Sequence, residues 1–176
     1  TNLCSVLRFR FENGNISYAG NKCEKVFYNK TIDKVKGYNA FDRKNEILFD
    51  HPVNPDNIQR GKTIGIPRVL NMFENYPFWH TLLSECGFNV SLSPESTFPL
   101  YQKGVGGVMS DNICFPAKLV HGHILALIDQ KVDRIFYPIV PKDEKEFRGS
   151  SNSFNCPVVG GYPDVIRSAI DPQERH

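Results

Sequence analysis

The chain has 176 residues, 40% of them hydrophobic and 12% aromatic, which suits one ordinary domain with a real core, or one domain with an appended piece. A formal charge of +2 is too mild to argue for nucleic acid or an anionic membrane surface, and no stretch approaches the roughly 18 apolar residues of a membrane span. The five cysteines, Cys4, Cys23, Cys86, Cys114 and Cys156, are odd in number and include no Cys-x-x-Cys pair. That pattern argues against a secreted disulfide framework and a zinc ribbon, and for a reducing, cytoplasmic setting.

Val6 to Phe11 alternates apolar and basic residues, Glu12-Asn13-Gly14-Asn15 supplies turn chemistry, and Ile16 to Ala19 resumes the extended pattern. A β-hairpin is predicted there. Cys23, among Lys22, Glu24 and Lys25, falls in a loop and reads as an incidental thiol. Tyr28 to Arg60 is polar and charged, with Pro52 and Pro55 near its end, and reads as a connector holding a short helix. Ile47, Leu48 and Phe49 are its residues available for packing. The change in composition near Gly61 divides a hairpin-and-connector segment, residues 1–60, from an α/β domain, residues 61–176. The start without methionine and the ending DPQERH lead us to expect a fragment of a larger protein.

Beyond Gly61 the pattern alternates strands and helices. Thr63 to Pro67 is a short buried strand, and Asn75 to Cys86 is a helix with Asn75 as cap, Pro77 in its first turn and Gly87 as its stop. Phe78, Trp79, Leu82 and Leu83 form its packing surface. His80 reads as a satisfied interface histidine, and Cys86 as a buried small hydrophobe. Phe88 to Leu92 is a second strand, and the turn Ser93-Pro94-Glu95-Ser96 leads into a short helix that ends at Gly104. A longer helix runs to about Gln130, and Val132 to Val140 is a strand of consecutive bulky residues. A charged loop, Pro141 to Ser153, precedes a last strand, Asn155 to Val159, a Gly160-Gly161 turn and a helix from Tyr162 to Ile170 begun by Pro163. This is the order of a mostly parallel, helix-covered α/β sheet of the flavodoxin or Rossmann kind, in which ligands gather outside the carboxyl ends of the strands. Neither GxGxxG nor GxxxxGK[ST] occurs, which argues against dinucleotide and P-loop chemistry.

The functional question centres on Asn112 to His123, NICFPAKLVHGH. Pro116 suits a first helical turn, so Cys114 sits at the positive end of the helix dipole, where a thiolate is favoured. Counting about 100° per residue, Lys118 and His121 return to within about 40° of Cys114, while Val120, Ile124, Leu127 and Ile128 mark an apolar stripe. Three readings are open. Cys114 joins Cys156 and a further group around an iron-sulfur cluster; Cys114 is a nucleophile with His121 as base; or Lys118, His121 and the helix N-terminus hold an anionic ligand such as a phosphate or acyl-CoA group. Against them stands a half-buried cysteine on a packed helix, with Gly122 admitting a close neighbour. The cluster reading meets a difficulty, because a Cys156 at the beginning of a parallel strand faces the sheet edge opposite to Cys114.

Three runs carry a family resemblance: IGIPRVLNMFENYPFWHTLLSECGFNVSLSP, SDNICFPAKLVHGHILALIDQKVDRIFYP and NCPVVGGYPDVI. Over Lys62 to Ile170 the chain resembles the acyl-CoA dehydratase activase-related proteins, large multidomain relatives of the ATPase activators of 2-hydroxyglutaryl-CoA dehydratase and benzoyl-CoA reductase. GNKCEK around Cys23 is similar to the segment preceding this domain. The resemblance implies a cytoplasmic module lying after actin-like ATPase modules, partnered by other modules of the same polypeptide and by acyl-CoA dehydratase components. It implies electron transfer through a four-iron four-sulfur cluster held by three cysteines, with Cys114 and Cys156 at two of those positions. The third position falls at Ile139-Val140-Pro141, where no cysteine stands. ATP would be bound only by modules this chain lacks, so no activity is expected of this piece alone. A structural or docking domain without a cluster is the other class of function.

Overall fold

Short alternating segments and longer amphipathic runs settle into five α-helices and five β-strands in the computed structural model, which describes residues 7–19, 38–52 and 61–170. The chain falls into two compact units, Thr1–Ala40 and Phe41–His176. In the first, β1 (Leu7–Arg10) pairs antiparallel with β2 (Ile16–Ala19), from Leu7 opposite Ala19 to Arg10 opposite Ile16. Its turn closes through the Phe11 N–H donating to the Asn15 carbonyl (2.9 Å) and the Asn15 N–H donating to Asn13 Oδ1 (3.0 Å). The second strand has the predicted bounds, and the first, expected from Val6 to Phe11, is described as Leu7–Arg10, with Val6 outside the described residues. Cys4 and Cys23 lie outside the described residues.

The short helix of the connector, α1 (Ala40–Phe49), begins at the last residue of the first unit and otherwise belongs to the second. A parallel three-stranded sheet follows, built from β3 (Thr63–Ile66), β4 (Asn89–Leu92) and β5 (Arg134–Ile135) in the order β4-β3-β5. Thr63 aligns with Asn89 and Ile64 with Arg134. The β3–β5 seam is reinforced by the Thr63 N–H donating to Asp133 Oδ2 (2.7 Å) and the Phe136 N–H donating to the Gly65 carbonyl (2.8 Å). The run from Val132 to Val140 was expected to be strand throughout, but only two of its residues pair as one. Pro138 has no N–H to give a ladder, and the chain leaves the sheet there.

Successive strand residues face opposite sides, so each face of β3 carries its own helices. Ile66 packs with Met72, Tyr76 and Val90, joined by Phe49, Trp79 and Phe136, beneath α1 and α2 (Met72–Glu85). Gly65 faces the other way, where a Cβ would lie 2.9 Å from Val132 Cγ2 and 3.0 Å from Leu127 Cδ2. That face is covered by α4 (Phe115–Asp129), whose Ala117, Val120 and Ile124 share a core with Tyr162, Ile166 and Ile170 of α5 (Pro157–Ile170). Between β4 and α4 lies α3 (Phe98–Gly104), capped by Thr97, whose hydroxyl accepts from the Leu100 N–H (3.3 Å), and followed by a single 3₁₀ turn. Helices α3 and α4 cross at bare backbone: a Cβ on Gly104 would lie 2.2 Å from the Gly122 nitrogen, and one on Gly122 2.1 Å from the Leu100 carbonyl oxygen.

Several boundaries differ from expectation. Helix α2 begins three residues before Asn75, at Met72, so Pro77 lies inside the helix. The cap position is Asn71, whose side chain makes no capping bond, and Gly87, at φ +83°, ends the element as predicted. Of its predicted packing residues, Phe78 and Leu82 are exposed, while Trp79 and Leu83 pack on the core. Cys86 is exposed rather than buried. His80 is buried, yet its Nε2 has no hydrogen-bond partner among the described residues. Asn155 to Val159 is not a strand and Gly160-Gly161 is not a turn. Both belong to the region where α5 begins, at Pro157.

Candidate functional site

Cys114 occupies the N-cap of α4 in an extended conformation (φ −61°, ψ 150°), with a proline in the first turn behind it. Its carbonyl accepts from the Ala117 and Lys118 N–H groups (3.1 and 3.2 Å), which starts the helix and leaves the thiol exposed. Lys118, one turn on, donates from Nζ to the Asp111 carbonyl (2.8 Å), bracing the loop that carries the cysteine. Cys114 and Lys118 thus share the positive end of α4.

His121 takes a different place. It is fully buried, and its Nε2 lies 3.1 Å from the Tyr162 hydroxyl of α5, the two rings meeting edge to face at 88°. Its Nδ1 faces Gly107, where a Cβ would come within 2.8 Å, and has no hydrogen-bond partner among the described residues. Burial lowers the His121 pKa. The separation of α4 into one polar and one apolar face fails here, because α3 crosses so closely at Gly122 that the helix is covered on both sides.

Cys156 precedes Pro157, the first residue of α5, and its carbonyl accepts from the Gly160 N–H (3.2 Å). Asn155 ties this start to the chain leaving β5, its N–H donating to the Pro141 carbonyl (3.0 Å) and its Nδ2 to the Val140 carbonyl (2.9 Å). The difficulty of opposite sheet edges therefore disappears: Cys156 is an exposed thiol at a helix start, as Cys114 is. Tyr162 connects the two helices. Its pKa is raised first by burial and then by the neighbouring Cys114 thiol. Cys114, Tyr162 and His121 form one group, with the tyrosine hydroxyl occupying the imidazole nitrogen that a nucleophilic pair would need.

A thiol at a helix start is a chemically competent iron-sulfur ligand. Among the described residues no group of three or more His, Cys, Asp or Glu side chains converges to hold a metal ion, and Ile139-Val140-Pro141 offers no third thiol. Among the described residues the donor set is incomplete for such a cluster.

A buried polar network at the carboxyl edge of the sheet escaped the sequence reading. The Arg68 N–H donates to Ser93 Oγ (2.8 Å), Ser93 Oγ lies 2.8 Å from His123 Nδ1, and His123 Nε2 lies 3.0 Å from Ser96 Oγ. Ser93 accepts from Arg68 and keeps a hydroxyl proton and a second lone pair, so both nitrogens of the His123 imidazole have a serine hydroxyl as partner. Burial, assisted by the Arg68 charge, pushes the His123 pKa down to about 4. The Arg68 guanidinium stacks 3.9 Å from the Phe49 ring centroid and reaches Glu95 at 3.3 Å. A usable signal was the placement of Arg68 and Ser93 directly after two parallel strands, where such sheets gather their polar groups.

A family model described as the CoA enzyme activase uncharacterised domain (DUF2229) matches residues 63–176. No curated protein and no solved structure matches the chain. No helix among the described residues is long and apolar enough to cross a membrane.

Proposed function

The chain belongs to the CoA enzyme activase domain family, and we propose that, within an acyl-CoA dehydratase activase-related protein, Cys114 and Cys156 supply two thiolates to an iron-sulfur cluster completed from outside the described residues. The observation that carries this reading is the placement of both exposed thiols at the starts of α4 and α5, two helices joined through Tyr162. Such a cluster, when bound, supplies one-electron transfer, here toward acyl-CoA chemistry driven by ATP hydrolysis in other modules of the polypeptide. Lys118 and the first-turn N–H groups of α4 set a positive potential beside Cys114, a setting suited to an anionic group. His121, sealed in the core, acts through Tyr162 by fixing the hydroxyl that borders the thiol. The partners this implies are the polypeptide's own ATPase modules and acyl-CoA dehydratase components, in the cytoplasm.

A docking domain without a cluster is the second reading, favoured by the lack of a converging third ligand among the described residues. Iron and acid-labile sulfide analysis of the full-length protein, purified without oxygen, separates the two. The cluster reading expects bound iron that is lost in Cys114→Ala and in Cys156→Ala, together with electron transfer to the acyl-CoA partner. Iron-free protein whose electron transfer survives Cys114→Ala would sink it and leave the docking role.

A further inference from the structure

Away from the cysteines, a crevice of about 750 Å³ opens between the start of α2 and the chain segment that follows β5. Its location follows from the topology. In the order β4-β3-β5 the chain passes from β3 to β4 on one side and then crosses back to β5 on the other, so β3 and β5 flank the point where the strand order reverses. Open parallel sheets bind ligands at such points, and the volume lies within the range of small-molecule sites. One wall comprises Asn71, Glu74 and Asn75; the other is a lobe from Asp143 to Asn155.

The lobe is a built structure. Lys142 and Phe154 form a β-bridge, the Asp143 N–H donates to the Ser153 carbonyl (3.0 Å), and both the N–H and Oγ of Ser150 donate to the Phe147 carbonyl (3.1 and 2.8 Å). On the opposite wall, Leu70 is held at φ +46°, a strained setting for a branched side chain and one that fixes the approach to Asn71. Both polar atoms of the Asn71 carboxamide, and the Ser153 hydroxyl, are shut off from solvent with no hydrogen-bond partner among the described residues.

The charge of the walls selects the ligand. Glu74, Asp143, Glu144 and Glu146 line the crevice against a single cation, Lys145. Lys44 neutralises Glu74 at 2.6 Å, and Lys145 is engaged with the Ser150 carbonyl at 3.3 Å. Asp143, Glu144 and Glu146 make no ion pair among the described residues. Two aromatic rings, Phe147 (74% exposed) and Phe154 (71% exposed), complete the lining, and the Lys142 ammonium already sits 6.0 Å from the Phe154 centroid. Unpaired carboxylates beside exposed aromatic faces are the chemistry that receives an organic cation, and the same carboxylates repel a phosphate or carboxylate ligand. We propose that this crevice binds an alkylammonium or guanidinium group.

Calorimetric titration of the full-length protein with agmatine, at low salt, tests the assignment, alongside an arginine-containing peptide of the same charge and acetyl phosphate as the anionic control. Saturable binding of agmatine assigns a free small molecule, and binding of the peptide alone assigns the side chain of a partner polypeptide. In either case acetyl phosphate should not compete. The variant Asp143→Asn/Glu144→Gln/Glu146→Gln, changed only at exposed positions, should bind about tenfold more weakly. Phe154→Leu, which keeps every charge, should also weaken binding and serves if the triple variant does not fold. Absence of saturable binding by both cations, or binding untouched by these substitutions, would overturn the proposal.

Discussion

Lowering the pH should unfold this protein through its buried histidines before its carboxylates are neutralised, and His123 makes the argument quantitative. Its imidazole is fully buried between two serine hydroxyls and holds a pKa of about 4, against 6.5 for the ordinary group. The folded state therefore refuses a proton that the unfolded chain accepts below about pH 6.5. Stability is fully present above that value and drains away as pH falls toward about 4, at about 1.4 kcal/mol per pH unit for each proton withheld. For His123 alone the loss amounts to roughly 2 kcal/mol between pH 7 and pH 5, and about 3 kcal/mol by pH 4. His121 and His80, both lowered by burial, act in the same direction. Urea unfolding at pH 7, 6 and 5, followed by the emission of the single tryptophan, Trp79, would measure the slope. His123→Asn should remove one proton's share of it. Equal stability at pH 7 and pH 5, or a native His123 resonance titrating near its ordinary value, would refute the reasoning.

The glycines of two helices should respond to alanine with opposite signs. At Gly104 the new methyl would collide with the Gly122 nitrogen, so Gly104→Ala should cost about 3 kcal/mol or more in unfolding free energy. Gly161, inside α5 with nothing within 4 Å of its Cβ position, should gain up to about 1 kcal/mol from the same change. Tyr162→Phe leaves His121 with no hydrogen bond at either nitrogen. It should destabilise by about 1–3 kcal/mol, seen as a lower urea midpoint at unchanged slope.

Much of the α/β framework was legible because its signals were local. Thr63 to Ile66, Asn89 to Leu92, the Thr97-capped helix and the long helix from Phe115 all carry their period and punctuation within a few residues. The misread parts depended on tertiary context. Gly160-Gly161 has turn composition, yet α5 already runs through both residues from Pro157, its first turn closed by the Gly160 N–H donating to the Cys156 carbonyl (3.2 Å), a continuity that composition does not reveal. Pro77 has the look of a first-turn residue, but the turn before it is already helical from Met72. At the candidate site, Cys114 and Lys118 were found where helix geometry puts them. His121 was drawn inward because α3 lies against α4 at Gly122, a contact between segments that periodicity treats as independent. The partnership of His123 with Ser93 and Ser96 was hidden for the same reason, since it joins one helix to the end of a strand.

The two-residue β5 has a consequence for how the protein behaves in a crowded solution. Among the described residues, β4 and β5 each have a neighbour on one side only, and a long, flat outer strand with open N–H and C=O groups is a template onto which another chain can add. Here the apolar run Ile135-Phe136-Tyr137, followed by Ile139-Val140, has the composition of an aggregation-prone strand. Arg134 stands exposed at its start, the ladder ends at Ile135, and Pro138 has no N–H with which to resume it. The brevity of β5 therefore acts as a gatekeeper: the residues best able to recruit a foreign strand are withheld from the geometry that would let them do it.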